Sequence, residues 1–185
     1  MLKKVFAILT IMALALVITA PVMAADTIKI AYIDPLSGAM AGVGDAGYKH
    51  FQYNAELLNA KGGVLGGKKF EIVPFDNKVS PQDSLIQLKN AIDQGIHIIT
   101  QGNGSNVAGA LIEAVNKHNE RNPDNQILYL NYAAVTPAFT NEQCSFWHFR
   151  FDAHVDMKIA AITNYIKGEK NIKKVYLMNQ DYVFG

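Results

Sequence analysis

The sequence predicts an α/β fold built on a doubly wound parallel sheet, and three observations carry that prediction. Short runs that are largely apolar recur at 28–33, 70–75, 96–100, 127–130 and 175–178. Between them lie segments whose apolar residues return every three or four positions. Turns rich in glycine and proline separate the two kinds of segment. Strands without alternation are buried on both faces, and the amphipathic helices between them supply the cover through right-handed crossovers.

The elements follow in order, beginning with an address. Lys3 and Lys4 give a positive start, 5–20 are almost wholly apolar, Pro21 breaks the run, and Val22-Met23-Ala24 puts small side chains at a cleavage site. The run is shorter than the about 18 to 20 residues that span hydrocarbon, so 1–24 read as a cleaved signal peptide. The one cysteine is Cys144, far from that cut, so no lipid anchor is expected and a periplasmic location follows. Without Lys3 and Lys4 the 17 basic residues fall to 15 against 16 acidic, a mature net charge of −1. The remaining basic residues are scattered, which excludes the basic stripe of a nucleic-acid binder.

A first strand at 28–33 runs into a proline- and glycine-containing loop, 34–44. Tyr48, Phe51, Ala55 and Leu58 then lay one stripe along a helix that Lys61-Gly62-Gly63 ends. After a reversal at Leu65-Gly66-Gly67 comes the strand 70–75. Ser80 is an N-cap, Pro81 the first helical residue and Asp83 a first-turn acid, with Leu85, Leu88 and Ile92 as the buried face and Gly95 as the stop. The strand 96–100 turns through Gly102-Asn103-Gly104-Ser105 into a helix carrying Ala108, Leu111 and Val115. A strand at 127–130, a loop at 131–141, an extended piece at 146–151, a helix with Ile159, Ile162 and Ile166, and a last strand at 174–179 complete the chain. These elements give a complete or nearly complete first lobe over 25–143. A crossover and the truncated beginning of a second lobe follow over 144–185. A parallel strand needs a covering crossover helix, so the chain reads as cut off and poorly stable by itself.

Several motifs tempt and fail on context. Gly42-Val43-Gly44-Asp45-Ala46-Gly47 has the letters of the dinucleotide fingerprint, but eight residues separate it from the strand that ends at Ile33. Residues 62–68 spell a near P-loop that follows a helix, precedes a strand and has Lys69 in the hydroxyl position, so they form a turn. His148, Asp152, His154 and Asp156 lack the helical spacing of a zinc site, and Asp152 and Asp156 read as first-turn acids. Cys144 reads as a small buried or semi-buried residue, too far along the strand from His148 for a catalytic thiol. Ser105 has Asn103 and Val107 where a nucleophile elbow needs glycines. No catalytic residue, metal or cofactor is called for.

What remains is a set of loops beyond the carboxyl ends of the strands, where open α/β sheets bind ligands. They are 34–44 with Ser37 and Val43, 102–106 with Gly104, Ser105 and Asn106, 131–136 with Ala133, Ala134 and Val135, and 180–185 with Tyr182. Gly104 and Ser105 offer backbone N–H groups and a hydroxyl at a helix start, a setting for a carboxylate that is also compatible with plain N-capping by Ser105. Ala133 and Ala134 are small enough to let a ligand approach the backbone.

Asp34-Pro35-Leu36-Ser37-Gly38, Gly44-Asp45, the run 59–68 (NAKGGVLGGK), Ser80-Pro81, Tyr132-Ala133-Ala134 and Asp181-Tyr182 stand in an order that resembles the type I periplasmic solute-binding proteins of the leucine/isoleucine/valine class. The likeness runs over 28–185. It implies two α/β lobes, in a protein about twice this long, that close by a hinge on a small solute and deliver it to an ABC permease in the inner membrane. The carrier would be a monomer. By position it implies that Ser105 and the Gly104 backbone hold a ligand carboxylate, that the Ala133 carbonyl meets an ammonium, and that Tyr182 reaches the ligand from the second lobe. Val43 replaces an aromatic wall and Val135 a threonine of the leucine binders. The loss of that hydrogen bond costs about 1 to 3 kcal/mol, so the solute is expected to be an amino acid, an amide or another small carboxylate, aromatic ones included. The same fold would also serve a ligand-sensing receptor, and an exported enzyme could keep its catalytic groups in the missing half.

Overall fold

The computed structural model describes residues 27–179 and 181; the signal segment 1–24 and Tyr182 lie outside them. Five strands, β1 (Thr27–Asp34), β2 (Lys69–Asp76), β3 (Ile98–Gln101), β4 (Leu128–Asn131) and β5 (His148–Arg150), form one all-parallel sheet in the order β2-β1-β3-β4-β5. The helices are α1 (Ala41–Ala60), α2 (Pro81–Asp93), α3 (Ser105–Arg121) and α4 (Val155–Gly168), with a 3-10 turn at Pro137–Thr140. The predicted doubly wound α/β architecture is therefore the one observed.

Alternation along β1 shows how the two faces are covered. Ala31 and Ile33 enter the main core with Phe75, Leu88, Ile99, Leu111 and Val115, between the sheet and the α2–α3 layer. Tyr32 faces the other way, its ring 5.7 Å from Tyr48 and 5.6 Å from Phe51 of α1. Because β1 leads outward to β2 whereas β2 and β3 lead across to β3 and β4, right-handed crossovers put α1 on one face and α2 and α3 on the other. The connections diverge at β1 and β3, which places the crevice for a ligand beyond Asp34 and Gln101. Pro74, which cannot donate to a ladder, sits on the edge strand β2.

The structure corrects several expectations. Residues 41–44 begin α1 instead of ending the loop. The buried stripe of α2 is Ser84, Leu88 and Ala91, and Leu85 is 41% exposed. Ser84 can be buried because its hydroxyl is satisfied by the Ser80 carbonyl at 2.7 Å. Ser80 does cap α2, accepting the Asp83 N–H at 3.1 Å. The N-cap of α3 is Gly104, at φ 94°, and Ser105 is the first residue inside the helix. Cys144 is exposed, because it lies in the turn before β5. Asp152 precedes α4 and accepts from Lys158. β5 pairs with β4, so the sheet reaches Arg150. Residues 174–179 form no strand and Tyr176 and Met178 are each 96% exposed; among the described residues no neighbouring strand offers them a ladder.

Candidate ligand-binding site

Beyond the carboxyl ends of β3 and β4 opens a cavity of about 320 Å³. The turn Gly102–Ser105 forms one wall, Ala133, Ala134 and Val135 another, and Met40 and Lys158 the rim. A larger cavity of about 570 Å³ lies along α3 against Phe139 and Cys144. It shares only Ser105 with the crevice, so the smaller one is the site candidate.

The wall at Gly102–Ser105 is polar by construction. Gly104 needs a left-handed φ of 94°, which a glycine adopts without cost, and that turn starts α3 pointing its first N–H groups at the cavity end. The N–H groups of Ser105 and Asn106 donate to nothing among the described residues. Ser105 is 2% exposed and its hydroxyl also has no partner there. The helix dipole adds positive potential at the same point. Opposite, Asn131 shapes the second wall: its Oδ1 accepts the N–H of Ala133 at 3.1 Å and of Ala134 at 2.7 Å, and its Nδ2 donates to the Ala134 carbonyl at 2.9 Å. The Ala133 carbonyl accepts no hydrogen bond among the described residues. Val135, 7% exposed, supplies only apolar surface. Lys158 reaches the rim from α4 and donates to Asp152.

Of the residues named from the sequence, Gly104, Ser105, Ala133, Ala134 and Val135 thus share one cavity. Asn106 is the next residue of α3, exposed and lining the larger cavity. Ser37 is exposed and its hydroxyl donates to Asp76. Val43 is 51% exposed on α1, and Met40 is the residue from that segment that meets the cavity.

Sequence reasoning missed the carboxylate behind the wall. Asp34, the last residue of β1, is wholly buried, and its two oxygens accept the N–H of Gly102 at 3.1 Å, the N–H of Asn103 at 3.0 Å and the Tyr132 hydroxyl. Burial raises its pKa from 3.8 to about 6, against the opposing pull of those hydrogen bonds. Burial, then the charge of Asp34, pushes the Tyr132 hydroxyl well above its usual range. An acid closing an apolar strand directly before Pro35 was the available signal. A second buried group, His148, is pushed down from 6.5 to about 4 by burial and then by Arg150, with Asn131 Nδ2 3.1 Å from its Nε2. Among the described residues no cluster has the makings of a metal site.

A family model described as periplasmic binding protein matches residues 27–185. The Leu/Ile/Val-binding protein homolog 4 of Brucella abortus is 35% identical over 163 residues, 87% of this chain and 39% of the relative. The closed form of the leucine-, isoleucine-, valine-, threonine- and alanine-binding protein of Brucella ovis superposes with a TM-score of 0.74 at 36% identity, over 86% of this chain and 41% of the other. A branched-chain amino acid transporter substrate-binding protein of Streptococcus pneumoniae, solved with isoleucine, shares the fold at a TM-score of 0.59 and 24% identity. The chain spans about two-fifths of the relatives it matches. On the fold, the matched span and these identities, the chain belongs to the periplasmic binding protein family.

Proposed function

We propose that this chain supplies one ligand-binding lobe of a periplasmic solute-binding protein, which closes on a small solute and passes it to an ABC permease in the inner membrane. The observation that supports this most is the pairing, in one crevice, of the unpartnered Ser105 N–H and the Ser105 hydroxyl with the open Ala133 carbonyl. Donors that lack a protein partner at a helix start suit a carboxylate, and the carbonyl suits an ammonium or amide N–H. Relatives named for leucine, isoleucine and valine binding agree with a carboxylate-bearing solute. Val135 offers no hydrogen bond, which favours a solute with less demand for polar partners than an α-amino acid, such as an aromatic carboxylate. Tyr182 would meet the solute from the other lobe on hinge closure, and a monomer is the working form.

Titration calorimetry with L-leucine, L-isoleucine, benzoate and acetamide tests this reading. Saturable binding of one class, weakened about tenfold by Ser105→Ala, is the expected result. No heat and no thermal shift with any of the four, or equal affinity in Ser105→Ala, would remove the support for the site.

A further inference from the structure

The segment 102–104 that forms the polar wall has two glycines and cannot orient itself, yet Asp34, Tyr132, Asn103 and Tyr32 tie it into one network. Besides bonding Asp34, the Tyr132 hydroxyl receives Asn103 Nδ2 at 3.0 Å and stands 3.0 Å from the Tyr32 hydroxyl. Tyr32 in turn donates to the Gly44 carbonyl of α1 at 2.8 Å. The Tyr132 ring lies flat against the turn, so a Cβ at Gly102 would come within 2.7 Å of it. The Asp34 carboxylate forms no ion pair among the described residues, and N–H and O–H dipoles alone answer it. A buried carboxylate without a cation is a poor device for stability, whereas an acceptor for two successive N–H groups fixes the direction of the chain between them.

We propose that Asp34 and Tyr132 are positioning residues for solute binding: neither touches the solute, but together they hold Gly102 and Asn103 so that the start of α3 faces it. This rests on the reading of the crevice as a carboxylate site. Protonating Asp34 removes acceptor capacity for the turn, so affinity is expected to fall as pH drops through about 6. The titratable groups facing it are Tyr32 on β1, Tyr129 on β4 and Tyr132 after β4, all held protonated by burial and by Asp34 itself. Asp45 on α1 acts on Tyr32, His148 lies behind Tyr129 with ring centres 5.0 Å apart and titrates near 4, and Lys158 stands at the rim.

Two measurements separate this proposal from the reading it rests on. The first needs no ligand: the amide proton shifts of Gly102 and Asn103, followed by NMR against pH, are expected to move together with a midpoint near 6. Tyr132→Phe, which removes one bond to the carboxylate, should raise that midpoint, and Asp34→Asn should abolish the transition. The second is titration of L-isoleucine and benzoate into native, Asp34→Asn and Tyr132→Phe protein at about pH 8 and pH 5. Affinity for the probe that binds is expected to fall about tenfold in Asp34→Asn at the higher pH, and by a similar factor in native protein at the lower pH. Amide shifts that ignore pH, or native-like affinity in both variants, would overturn the proposal even with solute binding intact. Titrating amides in a protein that binds neither probe would instead sustain the positioning role and count against the carboxylate reading.

Discussion

Asp34 and His148 pull the pH dependence of folding in opposite directions. The folded pKa of Asp34 is raised from 3.8 to about 6, so its contribution to stability is greatest below that window and lost as pH rises through it. His148 is lowered from 6.5 to about 4, so its contribution is present above 6.5 and lost as pH falls towards 4. Each shift corresponds to roughly 3 kcal/mol, and over the shared range the two nearly cancel. In Asp34→Asn the histidine is no longer offset: urea unfolding of this variant is expected to show stability dropping by about 3 kcal/mol more than that of the native protein between pH 6.5 and 4. Lys78 and Val79 carry a different residue-scale cost, with φ of 52° and 59° in the left-handed region. The Asn77 side chain holds that turn by donating to the Ile33 carbonyl and accepting the Val79 N–H, both at 3.0 Å. Lys78 is exposed, so Lys78→Asn should raise stability by about 0.5 to 1 kcal/mol in thermal unfolding, since asparagine tolerates this conformation.

At the scale of elements, α1 explains the glycines that imitate a dinucleotide fingerprint. A Cβ at Gly44 would lie 1.7 Å from the Pro35 carbonyl oxygen, and one at Gly47 would lie 2.3 Å from the Tyr32 hydroxyl. The spacing of these glycines lets the helix press against the end of β1, with no phosphate involved. Gly44→Ala must push α1 off the strand, and a loss of about 1 to 3 kcal/mol in urea unfolding is expected. The same substitution at Gly42, with nothing within 4 Å, should leave stability unchanged or slightly raised. The stripes of α1 and α2 were legible from three-and-four spacing, but only approximately. Leu58 ends up 42% exposed and Leu85 41%, because which neighbour on a stripe faces inward is decided by tertiary packing.

For the molecule as a whole, protection is concentrated in the sheet between β1 and β4. Tyr32, Ile99, Leu111 and Tyr129 have no exposed surface, whereas α4 has no buried residue and Ile159 and Ile162 are more than half exposed. Hydrogen exchange is therefore expected to be slowest in β1, β3 and α3. The fold class, the succession of strands and helices and most of the residues lining the crevice were legible in the sequence, since apolar runs, helical periodicity and turn residues are local signals that agree with one another. Ser105 with Ala133 to Val135 could be named because a parallel sheet always opens at the carboxyl ends of its strands. Hidden from the sequence was everything that depends on two distant segments meeting. Asp34 and Tyr132 are 98 residues apart, and only their contact reveals an anion behind the turn 102–104. Fold class follows from short-range pattern because burial repeats with the period of each element; the electrostatics of the site follow from long-range contact, which a linear order of residues does not contain.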